Sequence, residues 1–253
     1  MKIKRALSTV FTVLCITIIL CACAGEKSDL DNKTNDGSEK PNSENSSQNH
    51  LDEIPEVYAE ILINIKNACP WDNYDSLIIP ENPELSYMYC RHTELSEVGF
   101  ALEDLDKNGT KELIISGIDS PFVYDLYTIT DGKAKHLFDS GERYAHYLYS
   151  DGFVLLQLSG GATTNGSDFY KLNDGNLDFI ERIILDTLHA KEAGLIDDLY
   201  EINENLCYFK STSPDESDYV SITADEALAK LEEYQNNRTE LKPAYIPLSE
   251  FEG

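Results

Sequence analysis

The run Asp104-Leu105-Asp106-Lys107-Asn108-Gly109-Thr110-Lys111-Glu112 sets oxygen-bearing side chains at loop positions 1, 3, 5 and 9, with glycine at position 6. Calcium takes about six to eight hard oxygen ligands in a flexible shell, and alternate residues of a tight loop turn inward to supply them. Asp104, Asp106, Asn108 and Glu112 are the candidate side-chain ligands. Gly109 permits the sharp bend, after which the backbone carbonyl of Thr110 offers a further oxygen. An EF-hand needs glutamate at loop position 12, where this chain has Ile115 in an apolar run, so that motif does not apply. The expected cofactor is Ca2+ in a structural role, at the affinity of extracellular modules, about 10⁻⁴–10⁻³ M.

Outside this loop no residue group names a reaction, and no catalytic residue is assigned. Beyond residue 50 the histidines are His92, His136, His146 and His189. None forms His-x-x-x-His, and none stands beside a serine in a strand-to-helix elbow. His136 and His146 could meet across neighbouring strands as a metal or base site, although imidazoles packed among aromatics are the commoner outcome. Asp119 and Asp125 bracket Pro121-Phe122, but so acidic a chain yields such carboxylate pairs by chance.

Binding has more to draw on. Tyr124, Tyr127, Tyr144, Tyr147, Tyr149 and Tyr170 crowd one stretch of apolar runs, and strand alternation puts Tyr147 and Tyr149 on one face. Tyrosines on an open sheet make contacts for sugars, peptides or proteins, whereas buried ones only build the core. Tyr147, Tyr149 and Tyr170 are the candidates. The uncharged run Ser159-Gly160-Gly161-Ala162-Thr163-Thr164-Asn165-Gly166-Ser167 adds Thr163, Thr164 and Asn165, on a loop long enough to fold over a neutral ligand. It lacks Gly-Lys-Ser/Thr and a following helix, so it is not a phosphate loop.

The N-terminus says where such a domain works. Lys2, Lys4 and Arg5 precede a largely apolar stretch over residues 6–20, and Cys21-Ala22-Cys23 follow. That is a secretory signal, too short for a permanent span. The ending matches the bacterial lipoprotein pattern with Cys23 as the lipid-bearing residue, since Leu20 is too bulky for the position before Cys21. Residues 1–22 form the signal peptide. Residues 23–50 carry the lipid and a polar tether with one Leu and no aromatic residue, too poor in apolar surface to fold. A flexible coil of that length spans about 30 Å. Acyl chains add about 0.8 kcal/mol per buried CH₂, which places the domain on the outer face of the cytoplasmic membrane. The formal charge is −26, and the signal removes three basic residues and no acidic ones, leaving −29. Nucleic acid is therefore excluded as a partner.

Residues 51–253 are read as a single extracellular α+β domain. Ile54, Val57, Tyr58, Ile61, Leu62, Ile65 and Ala68 follow one helical face, with Pro70 as the stop. Residues 224–234 form a second helix, started by a Thr223/Glu226 capping box. Between them, short apolar runs are broken by Asp131-Gly132, Asp151-Gly152 and Asp174-Gly175, each a hairpin signal. The expectation is a curved antiparallel meander packed with both helices, and a strand pair over residues 199–203 and 206–210. A small propeller-like fold is the minor alternative. Cys69 and Cys90 bracket the Pro-rich segment and form a possible disulfide; Cys207 reads as a buried thiol.

The strand, the Asp-x-Asp-x-Asn-Gly-x-x-Glu loop and the next strand, over residues 100–117, resemble the calcium loops of FG-GAP repeats in integrin α-chain propellers and bacterial surface proteins. The resemblance implies side-chain oxygens from Asp104, Asp106, Asn108 and Glu112 and a backbone oxygen from Thr110. The loop occurs once, unlike a propeller. The order of lipid signal, polar tether, short helix, ALEDLDKNGTKELII and Tyr-rich meander is similar to that of a group of uncharacterised lipoproteins of gut Firmicutes. The functional expectation is a membrane-anchored, calcium-stabilised domain that binds a glycan, a peptide or an envelope protein. An extracellular hydrolase of wall or glycan material is the alternative.

Overall fold

The computed structural model describes residues 54–71, 85–200, 202–215 and 218–252. The signal peptide, Cys23, the tether, Pro80 and Pro83 lie outside the described residues. Helix α1 spans Glu56–Asn67, preceded by Pro55, whose fixed φ suits a helix start. Its buried face is Tyr58, Ile61, Leu62 and Ile65, the face that the apolar spacing picks out. Trp71 folds back beneath it, fully buried, and donates from Nε1 to the carbonyl of Ile65 at 2.9 Å.

Eleven strands follow among the described residues. They are β1 Val98–Glu103, β2 Glu112–Gly117, β3 Asp125–Thr130, β4 Lys133–Asp139, β5 Tyr144–Leu148, β6 Phe153–Ser159, β7 Thr164–Asn173, β8 Asn176–Asp186, β9 Tyr208–Ser211, β10 Val220–Ile222 and β11 Ile246–Pro247. Helix α2, Thr187–Glu192, lies between β8 and β9, and α3, Ala224–Asn236, follows β10. The expected antiparallel β-rich α+β character holds, but the single meander does not. Two sheets form, ordered β11-β1-β2-β3-β4 and β10-β9-β8-β7-β6-β5. Among the described residues no barrel closes and no propeller is built.

The meander breaks after β4. The Ser140 side chain is fully buried there, its Oγ meeting His146, and Gly141 packs against the Tyr144 ring where a Cβ would come within 2.6 Å. The chain thus crosses to a second sheet. Strand β2 is buried along its whole length because both of its faces are covered. Leu113 and Ile115 face α1, while Ile114 joins Leu126 and Phe138 against Leu148, Val154 and Leu172 of the second sheet. On the outer face of that sheet, Tyr234 of α3 stacks on Phe169 with ring centroids 4.0 Å apart. The layers run α1, first sheet, second sheet, α3.

All three Asp-Gly pairs make hairpins, with two geometries. Asp131-Gly132 and Asp174-Gly175 have positive φ at both residues, as a type I′ turn requires. At Asp151-Gly152 only Gly152 is positive, and its N–H bonds to the carbonyl of Tyr149, giving a three-residue loop with a bulge. The expected strand over residues 199–203 is absent among its described residues. β9 instead starts at Tyr208 and pairs with β8 and β10. Thr223 and Glu226 do form the capping box of α3.

Candidate functional site

The first two strands hold the acidic loop between them. β1 and β2 pair in register from Val98↔Gly117 to Glu103↔Glu112, so the ladder ends where the loop begins. Lys107 and Gly109 take positive φ, and the turn then closes on its own side chains. Asp104 Oδ2 accepts from the Gly109 N–H at 3.1 Å, Asp106 Oδ1 from Asn108 N–H at 3.2 Å, and Asn108 Oδ1 from Thr110 N–H at 2.7 Å. Glu112 reaches back from β2 and is fully buried. Its carboxylate accepts from the Leu105 N–H at 2.9 Å and from Thr128 Oγ1 at 3.0 Å.

Asp104, Asp106 and Glu112 converge, each offering an oxygen within 4.8 Å of the others. Oxygens on opposite sides of a calcium ion with bonds of about 2.4 Å stand about 4.8 Å apart, so one cation fits among the three. Burial raises the Glu112 carboxyl to about 7, and the charges of Asp106 and Asp104 push the same way. Hydrogen bonds from Leu105 and Thr128 oppose them. A divalent cation among the three carboxylates would remove the charge repulsion. The site is backed by the second sheet, because Asp106 Oδ2 also accepts from the Gly175 N–H at 3.2 Å.

The binding candidates are not brought together. Tyr149 is buried against Phe153, and Tyr170 packs into the space between the sheets, its ring edge-on to Phe179. Tyr147 is half-buried and touches Phe122. Tyr124 and Tyr127 are core residues. The strand-favouring chemistry of tyrosine, not an exposed aromatic platform, accounts for most of this cluster.

The long uncharged loop is also shorter than expected. Thr164 and Asn165 belong to β7, and Asn165 pairs with Ser159 across the hairpin. The Asn165 amide bonds to Gly161 O at 2.7 Å, and Thr163 O accepts from the Thr187 N–H at 2.9 Å. These residues pin the hairpin to the start of α2. Cys69 and Cys90 are half-buried thiols in the structure, not the bridge that their positions suggested, and Cys69 Sγ lies 3.6 Å from Thr93 O.

The two histidines singled out from the sequence go to different partners. His136 Nε2 bonds to buried Asp125 at 2.8 Å, whereas His146 Nδ1 meets Ser140 Oγ at 3.1 Å and its ring stacks on Phe138. Asp125 also accepts from the Ser86 N–H at 3.2 Å. Fully enclosed, it is not available as half of a carboxylate pair with exposed Asp119.

One concavity was not foreseen. A cavity of about 410 Å³ opens beside the end of β2, with His92 and Tyr124 at its wall. His92 Nε2 and the Tyr124 hydroxyl are 2.8 Å apart. The sequence signal was Gly117, where a Cβ would stand 2.7 Å from the Tyr124 oxygen and 3.0 Å from His92 Nε2. Its lack of a side chain makes room for the pair, but nothing in the local pattern says which residues fill that room.

No family model matches the chain, no curated protein matches it, and no solved structure matches it.

Proposed function

We propose that this chain is a lipid-anchored extracellular binding module whose fold is stabilised by calcium in the β1–β2 loop. The observation that carries the reading is the convergence of Asp104, Asp106 and Glu112 within 4.8 Å at a turn that also touches the second sheet. Hard oxygen donors on a flexible turn suit calcium, and a cation there would tie the two sheets more firmly. Side-chain ligands Asp104, Asp106, Asn108 and Glu112, with the Thr110 carbonyl, make the ligand set of an FG-GAP-like loop. The lipid signal ending at Cys23 and the polar tether put the domain outside the cell, where calcium is millimolar.

Binding is preferred to chemistry because His136 and His146 are each held by a buried neighbour. Asp125 holds His136, and Ser140 holds His146, so among the described residues neither of these histidines joins both a serine and a carboxylate as nucleophile, base and orienting group. The test is retention against conversion. The chain is immobilised with millimolar calcium, exposed to wall extract and growth medium, and its eluate analysed for glycans and proteins. An unaltered ligand released by a chelator supports the reading; a shortened product accumulating in the medium supports a hydrolase instead.

A further inference from the structure

We infer that the cavity between the His92–Tyr124 pair and Phe122 is a binding site for a small organic amine with an apolar body. At about 410 Å³ it lies within the range of small-molecule pockets. Its lining holds two carboxylates, Glu97 and Asp119, and neither lysine nor arginine. Arg91 lies outside the lining and pairs with Glu142 at the surface at 2.6 Å, although its charge is felt at His92 and Tyr124. The inference rests on reading the domain as a binding module and names the ligand class that the module takes.

The charge is held in place. Glu97 Oε2 accepts from the N–H groups of Thr93 at 2.9 Å and Glu94 at 3.0 Å, which fixes the carboxylate at the rim before any ligand arrives. Those two hydrogen bonds also keep it below the usual glutamate range, so it stays ionised. Asp119 has no hydrogen-bond donor among the described residues and is exposed beside the opening. An incoming ammonium meets one anchored negative charge and one available one in the lining.

The wall is suited to the rest of such a molecule. Phe122 and Tyr124, both in the lining, stand 5.7 Å apart at 48°. Ring faces attract a cation through their quadrupole and take an apolar body without penalty. Met88, a buried residue of the lining, adds a polarizable surface. Burial lowers the pKa of His92, against the opposing charge of Glu97, which disfavours a positive charge on its ring beside the ligand. The ring and the Tyr124 hydroxyl form a hydrogen-bonded pair able to orient a polar group on the ligand. The strongly acidic chain draws cations toward the opening.

The experiment is calorimetric titration of the full chain in detergent micelles at low salt. Phenethylamine and benzyltrimethylammonium are the probes, with 3-phenylpropionate as the anionic counterpart of similar shape. Both cations are expected to bind and the anion to show no heat. Asp119→Asn and Glu97→Gln should each weaken binding about three- to tenfold, and Phe122→Ala should weaken it at least as much. Equal binding of the anion, no binding of either cation, or cation binding unchanged in Asp119→Asn and Phe122→Ala overturns the assignment. Those results leave the binding-module reading to the wall-extract experiment, which detects ligands of any charge at any site.

Discussion

The carboxylate of Asp106, in the β1–β2 turn of the first sheet, accepts a hydrogen bond from the backbone N–H of Gly175, in the β7–β8 turn of the second, at 3.2 Å. Lys135 of β4 meets the same turn through Gly175 O at 3.0 Å. A cation bound by Asp106 therefore acts on a residue shared by both sheets. Calcium should raise the melting temperature of the whole domain in one transition, not loosen or tighten a loop alone. With a dissociation constant of about 0.1–1 mM, 10 mM calcium adds about 1.4–2.7 kcal/mol, or about 3–10 °C. Asp104→Ala should abolish the increment. Equal melting curves with calcium and with chelator would remove the structural metal from the account.

Gly152 tests how tightly the second sheet approaches that loop. Its φ is +75°, and a Cβ would stand 2.6 Å from the carbonyl oxygen of Leu105. Gly132 also has positive φ, +73°, but open space around it. Alanine at both sites meets the same backbone penalty, about 1 kcal/mol, whereas only Gly152→Ala meets the backbone of the β1–β2 loop, at Leu105. Chemical denaturation should show Gly132→Ala losing about 1 kcal/mol and Gly152→Ala losing at least about 2 kcal/mol more. Similar losses would mean that the turn moves aside easily.

Much of this arrangement is local enough to read from residues. The apolar face of α1, the Thr223/Glu226 box and the Asp-Gly hairpins each depend on neighbours within a few positions. The division into two sheets does not. It depends on Ser140, Gly141 and His146 meeting across the crossover, and a buried serine carries no periodic signal. The acidic loop is legible because its ligands are consecutive, while His92 and Tyr124 lie far apart in sequence and meet only because Gly117 leaves space. The tyrosines show the opposite failure. Alternation assigned Tyr147 and Tyr149 to one face, but only the covering α3 and the inter-sheet packing decide that Tyr149 and Tyr170 are enclosed.

Asp168 and Arg182 form a two-pronged ion pair across β7 and β8, with both nitrogen–oxygen contacts at 2.6 Å. Asp168 is 1% exposed, so removing its partner strands a charge away from water. Arg182→Ala is expected to cost about 3–5 kcal/mol. The paired change Asp168→Leu with Arg182→Met removes both charges and should recover most of that loss. A double variant as unstable as Arg182→Ala would show that the pair is needed for its geometry rather than to avoid an unpaired charge.

His146 gives the domain a dependence on acid that can be isolated. Burial, reinforced by the nearby charge of His136, lowers its pKa from 6.5 to about 3, against the opposing backbone interaction with Asp139. Its ring stacks on Phe138 at 3.9 Å and its Nδ1 faces Ser140 Oγ, so a proton has little solvent to meet. The folded chain keeps this histidine neutral where the unfolded chain protonates it. Its contribution is whole above about pH 6.5 and is lost as pH falls toward about 3, by up to about 1.4 kcal/mol per unit. At pH 5 the loss is about 2 kcal/mol. Asp125, raised by burial, favours the folded state as it gains a proton and so bends the wild-type curve the other way at the acid end. Comparison with His146→Phe separates the two, since phenylalanine can stack on Phe138 but cannot titrate. The variant should be less stable at pH 7, having lost the Ser140 contact, yet change less between pH 7 and pH 5 in urea titrations. Parallel curves for the two proteins would show that neutral, buried His146 is not the source of the acid sensitivity.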